Sequence, residues 1–119
     1  MGFDWTEFIK LAEFLRDYNA TAFAPESGYR SAVSRCYFAA YCYARDYAVG
    51  RLGFVANKAA DDHTRLREHF KKRNMMVIAQ KLDRLREWRN ECDYENEIPS
   101  PFPFLLGAIS AAKHVLKLK

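Results

Sequence analysis

Arg89 occupies a position where its charge needs a reason. At about 100° per residue, Ile78, Leu82, Leu85, Arg89 and Cys92 fall within about 80° of one another on a helix, with Arg89 near the middle of that arc. A permanently charged guanidinium in an apolar stripe is costly unless it is paired or lines a pocket. Asp93, one turn further on, is placed to pair with it and to orient it. Two roles fit. One is a structural Arg89–Asp93 link with a snorkelling stem; the other is an anion site at a bundle groove or a dimer seam.

The three histidines offer less. His63 lies on one helical line with Leu66 and Phe70, the usual setting of a hydrogen-bonded core histidine, while His69 and His114 read as boundary residues. No H-E-x-x-H pair occurs, and no metal site is expected. No Gly-rich phosphate loop occurs either, so no nucleotide cofactor is expected on this chain. Tyr37, Tyr41, Tyr43 and Tyr47 could stack on bases, but at helical spacing they read as core. Lys71, Lys72 and Arg73 suit a solvated face and fit phosphates equally.

Charge is unevenly spread. The chain has 19 Lys and Arg against 15 Asp and Glu, a net +4. Lys58 to Arg89 holds ten basic and five acidic residues, a local +5, and Glu91, Asp93, Glu95 and Glu97 follow directly. A positive field confined to one segment suits an anionic partner, with Arg65, Lys71, Lys72 and Arg73 as the steering group.

The elements that must position these residues all read as helices. With 119 residues, half of them apolar, the chain suits one domain with one core, 1–119. Asp4 and Glu7 resemble a capping box ahead of Trp5, Phe8, Ile9, Ala12 and Leu15, and turn residues follow from Asp17 to Pro25. A central helix is expected from about Ser27 to Val49, with Gly50 as its stop and two apolar rows that bury it on two sides. A loop from Arg51 to Ala60 leads to a short helix capped by Asp61 or Asp62 and interrupted by Asn74. A fourth helix spans about Met75 to Cys92. Pro99, Ser100, Pro101 and Pro103 mark a connection, and a last helix starts near Phe104. The expectation is an all-α, up-and-down bundle of four to five helices.

No apolar run approaches the roughly 20 residues of a membrane span, and the N-terminus lacks the layout of a signal peptide. Cys36, Cys42 and Cys92 are odd in number and form no C-x-x-C pair. A reduced, cytoplasmic setting is expected.

Two segments carry a family likeness. Tyr29–Tyr41 (YRSAVSRCYFAAY) resembles the central helix of HEPN-domain proteins, and Leu85–Glu95 (LREWRNECDYE) resembles their second, Arg-containing segment. The likeness covers roughly residues 5 to 116, with the two segments in the expected order and separation. It implies a helical bundle that commonly dimerises, so a homodimer is expected. Catalytic members are metal-independent ribonucleases built around Arg-Asn-x-x-x-His. Arg89 and Asn90 fill the first two positions, and Tyr94 stands where the histidine would be.

In that scheme the arginine holds the scissile phosphate and the histidine is the general acid or base. Tyr94 can donate a hydrogen bond but is a poor base near neutrality, so His63 would have to approach in space. Some small members of the family act in toxin–antitoxin pairs beside a minimal nucleotidyltransferase, which can adenylylate a tyrosine near the motif. By position Tyr94 is the candidate acceptor. The expected function is therefore RNA binding, with metal-independent RNase activity on a degenerate motif. The alternative is a non-catalytic module that binds a nucleotidyltransferase.

Overall fold

The computed structural model describes residues 2–19 and 21–119, and, among these, five helices form where apolar residues recur at helical spacing. They are α1 (Thr6–Asp17), α2 (Pro25–Arg51), α3 (Asp62–Lys72), α4 (Met76–Tyr94) and α5 (Pro101–Val115). Among the described residues there is no strand, and no helix is long and apolar enough to cross a membrane.

The helix ends differ from their expected positions for identifiable reasons. Pro25 and Pro101 open α2 and α5 instead of separating them from what precedes. Proline is preset for the first helical turn, whose N–H groups have no intrahelical acceptor, and Pro103 is tolerated in α5 for the same reason. Gly50 does not stop α2. The helix continues through Arg51, and the chain turns at Gly53 with φ +70°. Asn74, at φ +61°, makes the turn between α3 and α4.

The two expected caps are also rearranged. Asp4 Oδ1 accepts from the backbone N–H and the hydroxyl of Thr6, while Glu7 pairs with Lys10 instead of reaching back. Asp62 does not cap its own helix. Its carboxylate accepts the N–H groups of Asn57 and Lys58 and pairs with Arg65, and so folds the loop that precedes α3. Burial works to raise the Asp62 pKa, but those hydrogen bonds outweigh it and hold the carboxyl below its ordinary value.

α2 is the hub. Ala32, Ala39, Ala40, Ala44 and Ala48 are fully buried along it, and such small side chains let neighbours approach closely. α1, α4 and α5 pack against α2; α5 also touches α1 and α4. α1 and α4 do not touch each other, and α3 rests mainly on α4. All three cysteines are buried and free. Burial pushes the Cys36 thiol up to about 12 and the Cys92 thiol up to about 11.

Candidate functional site

The site grows from the α2 face that meets α3 and α4. Tyr37 is only 1% exposed, and its hydroxyl hydrogen-bonds the Nδ1 of His63. His63 stacks flat on Tyr41, with ring centroids 3.8 Å apart and planes 6° from parallel. From α4, the Arg89 guanidinium lies over the Tyr37 ring, 5.4 Å from its centroid, and also faces Phe38 at 5.1 Å and Tyr94 at 5.8 Å. The sequence neighbours Arg89, Asn90, Asp93 and Tyr94 are thus joined by a histidine from another helix.

Arg89 is oriented without being fully engaged. One terminal nitrogen donates to Asn90 Oδ1 at 2.8 Å. Its Nε lies 3.3 Å from Asp93 Oδ2, close enough for ionic attraction, yet that buried N–H is aimed at no acceptor. The same Asp93 oxygen accepts from Ser34 at 3.3 Å. The Arg89 side chain is 19% exposed and that of Asp93 29%, so the pair sits at the boundary of the core, not inside it. Asp93 lies within ionic reach of Arg89, and a donor is left over.

The charges of two further arginines act on His63. Arg67, one turn after His63, donates to the His63 carbonyl at 3.1 Å and sits 3.4 Å from Asp83. Arg86 lies one turn before Arg89 and has no ion-pair partner among the described residues. Burial, then the charges of Arg89, Arg86 and Arg67, lower the His63 pKa from 6.5, with Asp62 opposing. His63 is therefore neutral at pH 7. Burial pushes Tyr37 up to about 12, so its phenol keeps its proton. With the imidazole proton on Nδ1, donated to the Tyr37 oxygen, the Nε2 lone pair becomes a proton acceptor.

No family model, curated protein or solved structure matches the chain.

The expected steering group divides. Arg65 is occupied by Asp62 at 2.8 Å and by the Val55 carbonyl at 3.0 Å, and it covers the Phe54 ring. Arg73 donates to the Leu52 carbonyl at 2.6 Å, and Lys71 pairs with Glu68 at 3.2 Å. Lys72 is exposed on the far end of α3. Arg65 and Arg73 therefore fasten the loop between α2 and α3, and the cations whose charge acts on His63 beside Arg89 are Arg86 and Arg67. Helical arithmetic could have found these two, since 63 and 67, and 86 and 89, each share a face. Tyr37 and Ser34 lacked such a signal, because a buried tyrosine or serine on the hub helix reads as core.

Tyr94 is 71% exposed at the end of α4. A shallow cleft of about 500 Å³ beside it is lined by Arg30, Asp93, Tyr94 and Asn96, among others. Arg30 also secures this end: its guanidinium donates to the Cys92 carbonyl, one of the acceptors that a helix C-terminus leaves open, and to the carbonyls of Glu95 and Asn96 just beyond it. Among the described residues no group of three or more His, Cys, Asp or Glu is placed to hold a metal.

Proposed function

We propose that the chain is a HEPN-like, RNA-binding component of a toxin–antitoxin or nucleotidyltransferase-paired system. Its Arg89–His63 centre binds a phosphodiester and cleaves it without a metal. The observation that carries this reading is the shared Tyr37: its hydroxyl holds His63 while its ring carries Arg89. Tyr94 stands in the motif position of the missing histidine, and His63 supplies an imidazole from α3.

The chemistry follows from the side chains. Arg89, with Arg86 and Arg67 behind it, holds the phosphate and offsets the charge that develops on its oxygens. Nε2 of His63 takes the proton of the ribose 2′-hydroxyl, and that oxygen attacks phosphorus. The bond to the 5′-oxygen breaks, and the leaving oxygen takes a proton from water, giving a 2′,3′-cyclic phosphate end. Asn90 and Asp93 fix the guanidinium, and Tyr94 can donate a hydrogen bond to the phosphate.

The test is cleavage of RNA in EDTA by wild type, Arg89→Ala and His63→Ala. Cleavage by wild type alone, with cyclic phosphate ends, supports the reading. Equal cleavage by all three, or none by wild type, removes the catalytic part.

A second reading rests on Tyr94. Its exposed phenol beside an open cleft suits a residue that a partner nucleotidyltransferase modifies, and the chain would then serve as that enzyme's target and binding module. Intact-mass analysis after incubation with ATP and a nucleotidyltransferase encoded beside it decides the matter. A mass gain of one adenylyl group that Tyr94→Phe abolishes supports this reading, and no gain removes it.

A further inference from the structure

The outer seam between α4 and α5 has no helix over it. α2 closes its inner side, α3 lies beside α4 without touching α5, and α1 lies beside α5 without touching α4. What remains is a shallow groove of about 310 Å³. Gly107, Ser110 and Ala111 floor its α5 side, and its α4 side runs from Val77 to Trp88. Along α4 that is about 16 Å, roughly three turns. A Cβ at Gly107 would lie 2.6 Å from the Trp88 indole, so glycine is what lets the ring lie down against α5. Val77 stands 53% exposed at the other end.

The charge of this groove has one sign. Two of its lining residues are cations, Lys81 and Arg84, and none is a carboxylate. Lys81 makes no ion pair among the described residues. Arg84 reaches Glu87 at 3.2 Å with both side chains more than half exposed, a pairing that holds it weakly. A small-residue floor with two available cations on one wall fits one class of occupant. That is an amphipathic helix laying its apolar face in the groove and turning carboxylates toward Lys81 and Arg84. A second copy docked here about a two-fold axis would bring more cations to the same place. A nucleic-acid strand would find the cations but a ring already taken, because Arg84 lies over Trp88, 4.9 Å from its centroid.

We propose that the α4–α5 groove docks an acidic amphipathic helix of about three turns from a partner protein. Arg89 shares the inner face of α4 with Leu82 and Leu85, whereas Lys81, Arg84 and Trp88 line the outer one. The docking face is thus separate from the Arg89–His63 centre, and the proposal does not depend on the RNA reading.

The experiment titrates the full chain carrying Trp5→Phe, which leaves Trp88 as its one tryptophan, and reads the emission of that indole. The first probe is a synthetic peptide with leucines on one face and glutamates flanking them, held helical by a hydrocarbon staple on its outer face. The second has lysine for each glutamate, and the third keeps the glutamates but carries a central proline that breaks the helix. In the same background Lys81→Glu/Arg84→Glu reverses the charge, and Ser110→Phe fills the floor at an exposed position. Circular dichroism checks each variant.

The acidic helix is expected to shift the Trp88 emission saturably and to bind at least about tenfold more tightly than either other peptide. Charge reversal should invert the preference between glutamate and lysine peptides, and Ser110→Phe should abolish binding. No saturable binding of the acidic helix overturns the proposal, and so does equal binding of the lysine peptide or binding that survives Ser110→Phe. If a short single-stranded RNA displaces the acidic helix and itself loses affinity on charge reversal, the cations serve phosphate and the proposal falls. A dimer seen by sedimentation that Ser110→Phe dissociates gives the groove to a second copy, with the same result.

Discussion

His63 and Arg89 meet through one side chain: the Tyr37 hydroxyl bonds the imidazole, and the Tyr37 ring lies under the guanidinium. Tyr37→Phe keeps the ring and removes the hydroxyl, so Arg89 retains its platform while Nδ1 of His63 loses its partner. The variant is expected to be about 1 kcal/mol less stable by urea denaturation. It should bind RNA as wild type does and cleave it far more slowly, because only the imidazole has lost its orientation.

Arg89 separates binding from stability. Its Nε makes no hydrogen bond, its ion pair with Asp93 sits at the boundary of the core, and its ring contacts are individually weak. Arg89→Met, which keeps an apolar stem in the same groove, should change unfolding free energy by less than about 1 kcal/mol. RNA binding should fall sharply in the same protein. A loss of several kcal/mol would instead mark Arg89–Asp93 as a structural pair whose breakage strands a charge.

His63 makes stability depend on pH in a definite direction. Its folded pKa lies below the ordinary 6.5 because burial and the three arginines disfavour the imidazolium. Between the folded and unfolded values the unfolded chain binds the proton and the folded chain does not. Lowering pH through 6.5 therefore favours unfolding, and the loss continues until the folded imidazole protonates as well. Urea midpoints from about pH 7.5 down to about pH 5.5 should fall in wild type and flatten in His63→Gln.

Arg30 holds the end of α4. Arg30→Ala leaves the carbonyls of Cys92, Glu95 and Asn96 without their charged donor, at a cost of about 2 kcal/mol. Hydrogen exchange should speed up at the last turn of α4, and Asp93 and Tyr94 should lose their fixed positions while α1 and α5 are unaffected.

The α4–α5 contact is equally specific. A Cβ at Gly107 would lie 2.6 Å from the edge of the Trp88 indole. Gly107→Ala should cost about 1–3 kcal/mol, despite the better helix propensity of alanine. Trp88→Leu should relieve most of that cost, and thermal melts of the single and double variants would show it.

Helix number and the hub role of α2 were legible from apolar spacing, because 3.6-residue periodicity is a local property. The ends were less so. Pro25, Pro101 and Gly50 carry the usual meaning of breakers, yet proline at a first turn sacrifices no hydrogen bond, and a single exposed glycine does not stop a helix before Arg51 when the positive φ of the turn falls at Gly53. Arg89, Asn90 and Asp93 could be grouped from sequence since they share one helix. His63 could be named only as a candidate, because its meeting with Arg89 depends on how α3 docks. The basic run could not be resolved into individual roles for a related reason. A charge count cannot show that Arg65 is spent on Asp62 and the Val55 carbonyl, Arg73 on the Leu52 carbonyl, and Arg67 on the His63 carbonyl and Asp83.

The buried cysteines make the protein its own stopwatch. Cys36 and Cys42 lie within α2 and Cys92 near the end of α4, and burial keeps each thiol protonated and out of reach of reagents. An alkylating agent added to the native protein must therefore wait for the chain to open. Mass mapping of which cysteine is capped first, and how fast, would time the breathing of the hub helix separately from the fraying of the helix that carries Arg89.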